Sequence, residues 1–594
     1  MNGILHGVRA CLVMLILVLP CSAMAASGNP CPRPKIGSEI LQPPDIYSQN
    51  GALKVSLNYY TTVDEWGHTL FCYATPSGLE APTLHVNPGD IVNIDLTNME
   101  PGAPAPGSGG DKVSGFSNKC GSTDMFPTSA NLHFHGLNVT PQCHGDQVIR
   151  TIVNPGETFH YHFRVPRSEP PGMYWYHAHI HGIASPAVQG GASGAIEVEG
   201  IANLQPAVKG LPQRFLVFRD QPLRRSALNK KKPAPFWDVS LNYVPVVYPH
   251  YQPGIIRMQA GAQEFWRLVN ASADTIMDVK LVYDGKVQPL QIVAFDGVPT
   301  GSGDGKHKGT IITQNDILIP PAGRAEFIVT GPSSSVQSAV LLTRHIDTGP
   351  AGDVDTKRPL AQIELTNDLK KIPKAILPVP GNVSGDRFAN IDDSKVTAHR
   401  HLYFFEQNGA FSHRPEATQF FITVVGQDRQ LYDPNELPKI VTQRGAVEDW
   451  TIRNQTQEVH AFHIHQIHFQ VIAVDGKQVP PSRRQWYDTY PVNYWDGVSK
   501  RFPSITLRMD FRGAVEGEFV YHCHILDHED QGMMANILVA PPSPPPKGGG
   551  PSDSSHQASA VDGKVKKATL KAVSAIRSGL GAHQEISRYT TPGG

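Results

Sequence analysis

An eleven-residue pattern recurs three times along this chain, and it restricts the possible folds more than any other feature. Pro88-Gly89 leads to Asn98, Ala260-Gly261 leads to Asn270, and Arg444-Gly445 leads to Asn454, with glycine second and asparagine eleventh in every copy. In the first copy Val92, Ile94 and Leu96 alternate with polar residues, the period-two signature of a turn running into a half-buried strand. A second element also repeats, as Asn154-Pro155-Gly156 before Phe159, Tyr161 and Phe163, and as Pro321-Ala322-Gly323 before Phe327 and Val329. The copies begin 172 and 184 residues apart, enough for one Greek-key β-sandwich each. The spacing predicts an all-β chain of three consecutive sandwiches over 27–205, 206–375 and 395–542, with a linker over 376–394.

Composition agrees with that reading. The 54 glycines and 51 prolines are spread among short apolar runs, which suits strands joined by turns. At 594 residues the chain is too long for a single core. A formal net charge of −1 gives no electrostatic reason to expect a nucleic acid partner.

Residues 1–26 read as a Sec-type signal peptide: Arg9, an apolar run from Cys11 to Pro20, and small residues from Ser22 to Ala26. The run is too short to be a transmembrane span, so a secreted or periplasmic protein is expected, its metal loaded after export. Five cysteines then remain. Cys31, Cys72, Cys120 and Cys143 can form two disulfides in any of three pairings, while Cys523 stands apart between two histidines. Residues 543–594 are rich in Pro, Gly and Ser and are expected to lack a fixed fold; a solvated tail is the leading reading of Lys564–Leu580 as well, with a basic amphipathic helix as the alternative.

The 26 histidines carry the chemistry. They cluster as His133-Phe134-His135, His177-Ala178-His179, His460-Ala461-Phe462-His463-Ile464-His465, and His522-Cys523-His524 followed by His528 and Met533. On a strand, residues i and i+2 share a face, so each His-x-His aims two imidazoles the same way, roughly 6.6 Å apart along the chain. Four such pairs can surround several metal ions. His460 is out of phase with His463 and His465 and faces another site. Cys523 likewise faces away from His522 and His524. With His460, His528 and Met533 as a weak axial ligand it makes the Cys–His₂–Met set of an electron-transfer blue copper centre. A structural zinc site would close at four ligands and has little use for methionine. Three further pairings, His160/His162, His179/His181 and His399/His401, are surplus: apart from His179, already counted in its cluster, their members are read as strand or loop residues without metal.

Taken together, the four clusters resemble the signature motifs of the multicopper oxidases, the family of laccases, ascorbate oxidase and bacterial copper-efflux oxidases. The resemblance spans roughly residues 50–540 and implies a three-cupredoxin arrangement holding four copper ions. It implies His460, Cys523, His528 and Met533 for a type 1 copper, and His133 with His463 for a type 2 copper. For the type 3 pair it implies His135, His177 and His524 on one ion and His179, His465 and His522 on the other. Phe134 stands where Trp is common and Ala461 where Pro is common; neither is a ligand. Asp146 and Glu529 resemble the family's carboxylates for proton delivery. The middle segment has no paired histidines and is expected to be a spacer that shapes the cleft.

The implied reaction is one-electron oxidation of a small reducing substrate coupled to reduction of dioxygen to water. Laccase-like oxidation of phenols or aromatic amines is the leading expectation. Oxidation of Cu(I) or Mn(II) is the alternative: His528 to Met534 has a bacterial form, but the 11 methionines are scattered and form no Met-rich insert. A non-catalytic cupredoxin scaffold or electron carrier would lack some of these ligands, whereas every position here is filled.

Overall fold

The computed structural model describes residues 29–542, except 102–119, 121–124, 224–233, 303–306, 308, 381–386 and 408–417. The segments expected to be a signal peptide, residues 1–26, and an unstructured tail, residues 543–594, lie outside the described residues. Strands dominate, and they form six sheets that pair into three lobes.

In the first lobe a sheet ordered Asp45–Tyr47, Thr83–Val86, Ser193–Val198, Gly172–His177, His133–His135 faces one ordered Thr69–Ala74, Ala52–Val63, Ile91–Asn98, Thr158–Arg164. Leu57 and Leu96 of one sheet and Leu84 and Ile196 of the other share a single buried core. The middle lobe closes a core around Leu216, Trp266, Val279 and Leu341. The third closes one around Leu402, Trp450, Phe519 and Ile537.

The repeated sequence pattern occupies the same place in every lobe. Ile91–Asn98, Gln263–Asn270 and Val447–Asn454 each pair parallel with one earlier strand and antiparallel with one later strand. Gly89, Gly261 and Gly445 have φ of +96°, +65° and +96°, a left-handed turn that glycine adopts without steric cost. The asparagine eleven positions into each copy is fully buried and its amide donates to two backbone carbonyls: Asn98 to Thr128 and Val153, Asn270 to Thr275 and Ile319, Asn454 to Glu458 and Val492. A buried loop carbonyl left without a donor costs about 1–3 kcal/mol, so the side chain's twin donors explain why the pattern ends in asparagine.

The open question of disulfide pairing resolves as Cys31–Cys72 and Cys120–Cys143, leaving Cys523 as a buried free thiol. Among the described residues no helix is long and apolar enough to cross a membrane.

Candidate metal centre

The four histidine clusters come from two lobes and meet at one place. His133 and His177 are cross-strand partners in the first lobe, and His463 and His522 are partners in the third. Rings from the two lobes interleave: His133 stacks on His465 with centroids 3.8 Å apart, and His135 stacks on His463 at 4.0 Å. One nitrogen each from His135, His177 and His524 lies within 4.8 Å of the other two, and the same holds for His179, His465 and His522 and for His133, His135 and His463. All eight rings are buried.

The nitrogens that converge are ones a metal would satisfy. Nε2 of His179, His465 and His522 lie 3.1–3.3 Å from one another. His133 Nε2, His135 Nδ1, His177 Nε2 and His463 Nε2 are buried and have no hydrogen-bond partner among the described residues. Unpartnered polar atoms at this density are costly unless an ion takes them. Burial, reinforced by the neighbouring imidazoles, holds His135, His177, His179, His463, His465 and His524 well below the usual histidine range. For His522 burial brings the value to about 3. Neutral imidazoles are the form that ligates.

The opposite ring nitrogens are tied to protein. His135 Nε2 donates to Asp488 Oδ1 at 3.1 Å, which fixes the tautomer and leaves Nδ1 facing the cluster. His463 Nδ1 donates to the Asp488 carbonyl at 2.9 Å, and His133 Nδ1 donates to Asp146 Oδ2 at 2.9 Å. Asp146 also accepts from the Phe134 N–H and from the Gln466 amide, so the candidate carboxylate bridges the first and third lobes. Glu529 is fully buried, with Oε2 3.2 Å from His522 Nδ1 and Oε1 3.6 Å from His179 Nδ1. Burial, with the Asp530 charge adding to it, pushes its carboxyl well above the usual range. Asp530 in turn accepts the N–H groups of Gly182, Ala184 and Ser185, clasping the end of the His177–His179 segment to the short helix Leu526–Asp530.

On the other face of the same strand lies a second group. Cys523 Sγ is 3.5 Å from His460 Nδ1 and 3.8 Å from His528 Nδ1, and the two nitrogens are 3.1 Å apart. Met533 is buried in the same core, its carbonyl accepting the Cys523 N–H. Burial raises the Cys523 thiol far above its ordinary value, so a thiolate here requires a bound cation. The outer nitrogens face acids: His460 Nε2 is 3.2 Å from Glu406 Oε1, and His528 Nε2 is 3.4 Å from Glu458 Oε1. Phe420 stacks on His528 with centroids 4.2 Å apart.

The surplus histidines lie elsewhere. His160 and His162 sit on the outer face of Thr158–Arg164 against Asp95 and Asn93, and His399 and His401 are exposed on Ala398–Gln407. His181 is set edge-on to Tyr432. Asp488, Glu406 and Glu458 were not singled out from sequence, because no local spacing links them to the histidines they touch, and Arg324 reaches the site only through Asp488. Beyond shaping the cleft, the middle lobe brings Arg324 into the site.

A cavity of about 270 Å³ opens beside His528 between the middle and third lobes. Phe236, Trp237, Ile276 and Ile525 supply its apolar lining, and Asp274, Asp353, Asp355, Glu458 and Asp527 supply five carboxyls. No lysine or arginine is among the described lining residues.

Two family profiles, both described as multicopper oxidase, match residues 122–202 and 406–543. A multicopper oxidase of Staphylococcus haemolyticus is 24% identical over 470 residues, covering 78% of this chain and 82% of that protein. A laccase of Bacillus subtilis is 25% identical over 303 residues, covering 47% of this chain and 51% of that protein. The crystal structure of a Campylobacter jejuni multicopper oxidase, described as a metallo-oxidase, superposes with a TM-score of 0.58 at 20% identity, over 86% of this chain and 96% of that one.

Proposed function

The chain belongs to the multicopper oxidase family, and from that premise we propose that it oxidises small reducing substrates beside His528 and delivers the electrons to dioxygen at the eight-histidine cluster. One observation carries the reading: the strand Gly517–Cys523 and the residue just past its end present Cys523 to His460 and His528 on one side, and His522 and His524 to the cluster on the other. His460, Cys523, His528 and Met533 would hold one copper ion, His133 with His463 a second, His135, His177 and His524 a third, and His179, His465 and His522 a fourth. Copper supplies one-electron redox chemistry at the thiolate site and four-electron reduction of dioxygen to water at the cluster.

The chain's own residues do the rest. Cys523 is covalently continuous with both His522 and His524, which gives a short path between the two sites. Asp488 and Asp146 orient His135 and His133 by accepting their outer N–H groups. Glu529 holds a proton at a carboxyl within reach of His522 and His179, a suitable source for oxygen reduction. Phe420 and the buried surroundings keep bulk water from the thiolate site.

Phenols and aromatic amines, laccase-like substrates, fit the mixed apolar and acidic cavity: an aromatic ring against Trp237 and Phe236, and an O–H or N–H toward a carboxyl. The five carboxyls favour a second reading, oxidation of a low-valent metal cation such as Cu(I) or Mn(II). Two disulfides and the leader-like N-terminus support a secreted or periplasmic location.

The test is stoichiometry. Copper-loaded protein under air should take up one dioxygen per four electrons withdrawn and release no peroxide, and peroxide accumulation sinks the reading. Parallel kinetics with a phenol, an aromatic amine, Cu(I) and Mn(II) separate the substrate classes.

A further inference from the structure

Three lobes meet at one carboxylate that the sequence did not mark. Asp488 lies in the third lobe and is fully buried. Its Oδ1 accepts from His135 of the first lobe and from the Thr489 hydroxyl. Its backbone carbonyl accepts from His463. The middle lobe supplies the remaining partner: Arg324 Nη1 donates to Asp488 Oδ1 at 2.8 Å and Nη2 donates to Oδ2 at 2.5 Å.

This paired contact is itself held from both sides. Asp296 of the middle lobe accepts the Arg324 N–H at 2.8 Å with Oδ1, and the Asp488 N–H at 3.1 Å with Oδ2. Arg324 also donates to the carbonyls of Ala322 and Met173. Gly136, which follows His135, leaves room for the guanidinium: a Cβ there would come within 2.4 Å of Arg324 Nη2 and 2.8 Å of Asp488 Oδ2. The backbone beside the ligand is therefore shaped around this arginine.

Resting on the copper reading above, we propose that Arg324 is a positioning residue of the cluster: its planar fork locks the Asp488 carboxylate in the one orientation that fixes His135. A carboxylate free to rotate would release the His135 Nε2–H and let that ring swing or change tautomer. Two parallel charge-assisted bonds hold both oxygens, where a lysine could hold only one at a time. The middle lobe thus takes part in the cluster without providing a ligand.

The test uses full-length holoprotein bearing Arg324→Met or Arg324→Lys. Copper per chain is measured against a graded chelator, together with the blue absorption of the Cys523 site and the electron paramagnetic resonance of cluster copper. Arg324→Met should keep full blue absorption while cluster copper is held about 10–100-fold more weakly, the usual cost of losing a partner behind a metal ligand. Its resonance parameters should shift, and Arg324→Lys should recover part of both changes. Unchanged chelator resistance and resonance in Arg324→Met would overturn the proposal. So would equal recovery of wild-type behaviour by lysine, which would reduce the role to charge alone. If the methionine variant does not fold, the lysine variant decides by the same readouts: a weakened, shifted cluster with intact blue absorption supports the proposal, and a wild-type cluster overturns it. Wild-type protein without blue absorption would instead defeat the copper reading itself, so the two failures are distinguishable.

Discussion

Cys523 Sγ lies 3.5 Å from Nδ1 of His460, although the two residues stand 63 positions apart and belong to neighbouring strands of one sheet. A thiolate this close to two imidazoles gives a copper site its intense visible absorption. Copper-loaded protein should therefore be blue. Cys523→Ser should abolish the colour and bring turnover below detection, while copper analysis still finds the cluster metals. A colourless wild-type protein with full copper content contradicts the assignment.

Asp146 accepts from His133 on one side and from Gln466 on the other. Asp146→Asn keeps the shape but removes the charge, and should slow turnover by about 10–100-fold. Stopped-flow measurement of the two half-reactions separates the causes. Reoxidation by dioxygen should slow more than reduction by substrate, and equal slowing counts against a role at the cluster.

Glu529 is buried beside His522 and His179, and that burial, with the Asp530 charge adding to it, raises its carboxyl well above the ordinary range and favours the protonated form. Glu529→Gln preserves size and polarity but cannot release that proton. Oxygen reduction should fall by about 100-fold or more, the low end of what a positioned acid contributes. Blue absorption should be unaltered. Wild-type rates of reoxidation in this variant would remove Glu529 from the proton path.

The cavity beside His528 should bind cations better as pH rises. Burial lifts Asp353 to about 6 even though the Trp237 indole N–H donates to it. Below that pH its carboxyl is neutral and above it negative. KM for Mn(II) should fall as pH rises through about 6, and Asp353→Asn should flatten that limb of the profile. A phenol that stays neutral over the range should show little of the effect.

A second pH effect concerns stability. Burial disfavours a charged His85, but hydrogen bonds to Asp45, Glu197 and Glu199 outweigh it and raise the ring to about 11. The folded value exceeds the unfolded value of about 6.5, so the stabilisation is fully present below that pH and is lost as pH climbs toward the folded value. His85→Gln should lower the thermal midpoint by several degrees at pH 6, and the gap should narrow at pH 10. A constant gap would mean that packing alone, including the stacking of Tyr47 on His85, is responsible.

Much of this site was legible because its chemistry is local. His-x-His on a strand sets two rings on one face, and Cys523 between two histidines divides one strand between two sites. Even so, His179, His465 and His524 lie just past the ends of their strands, so strand alternation describes them only in part. The repeat was legible for the same reason: a glycine with positive φ and an asparagine with two donors are local requirements. What could not be read depends on distant contacts. Asp488 meets His135 across 353 positions, and Arg324 meets Asp488 across 164. Cys31 finds Cys72 rather than Cys120 only because the sheets bring them together. No spacing in the chain encodes those meetings.

The cluster draws on residues 133–179 at one end of the chain and 463–524 at the other. Half of its imidazoles therefore do not exist on a nascent polypeptide until the third lobe is being made. An ion shared between the two groups cannot template the early stages of assembly, and a shortened product ending before the strand Gly517–Cys523 would lack His522, Cys523 and His524. A half-made protein, with the first lobe alone, presents only His133, His135, His177 and His179 of the eight.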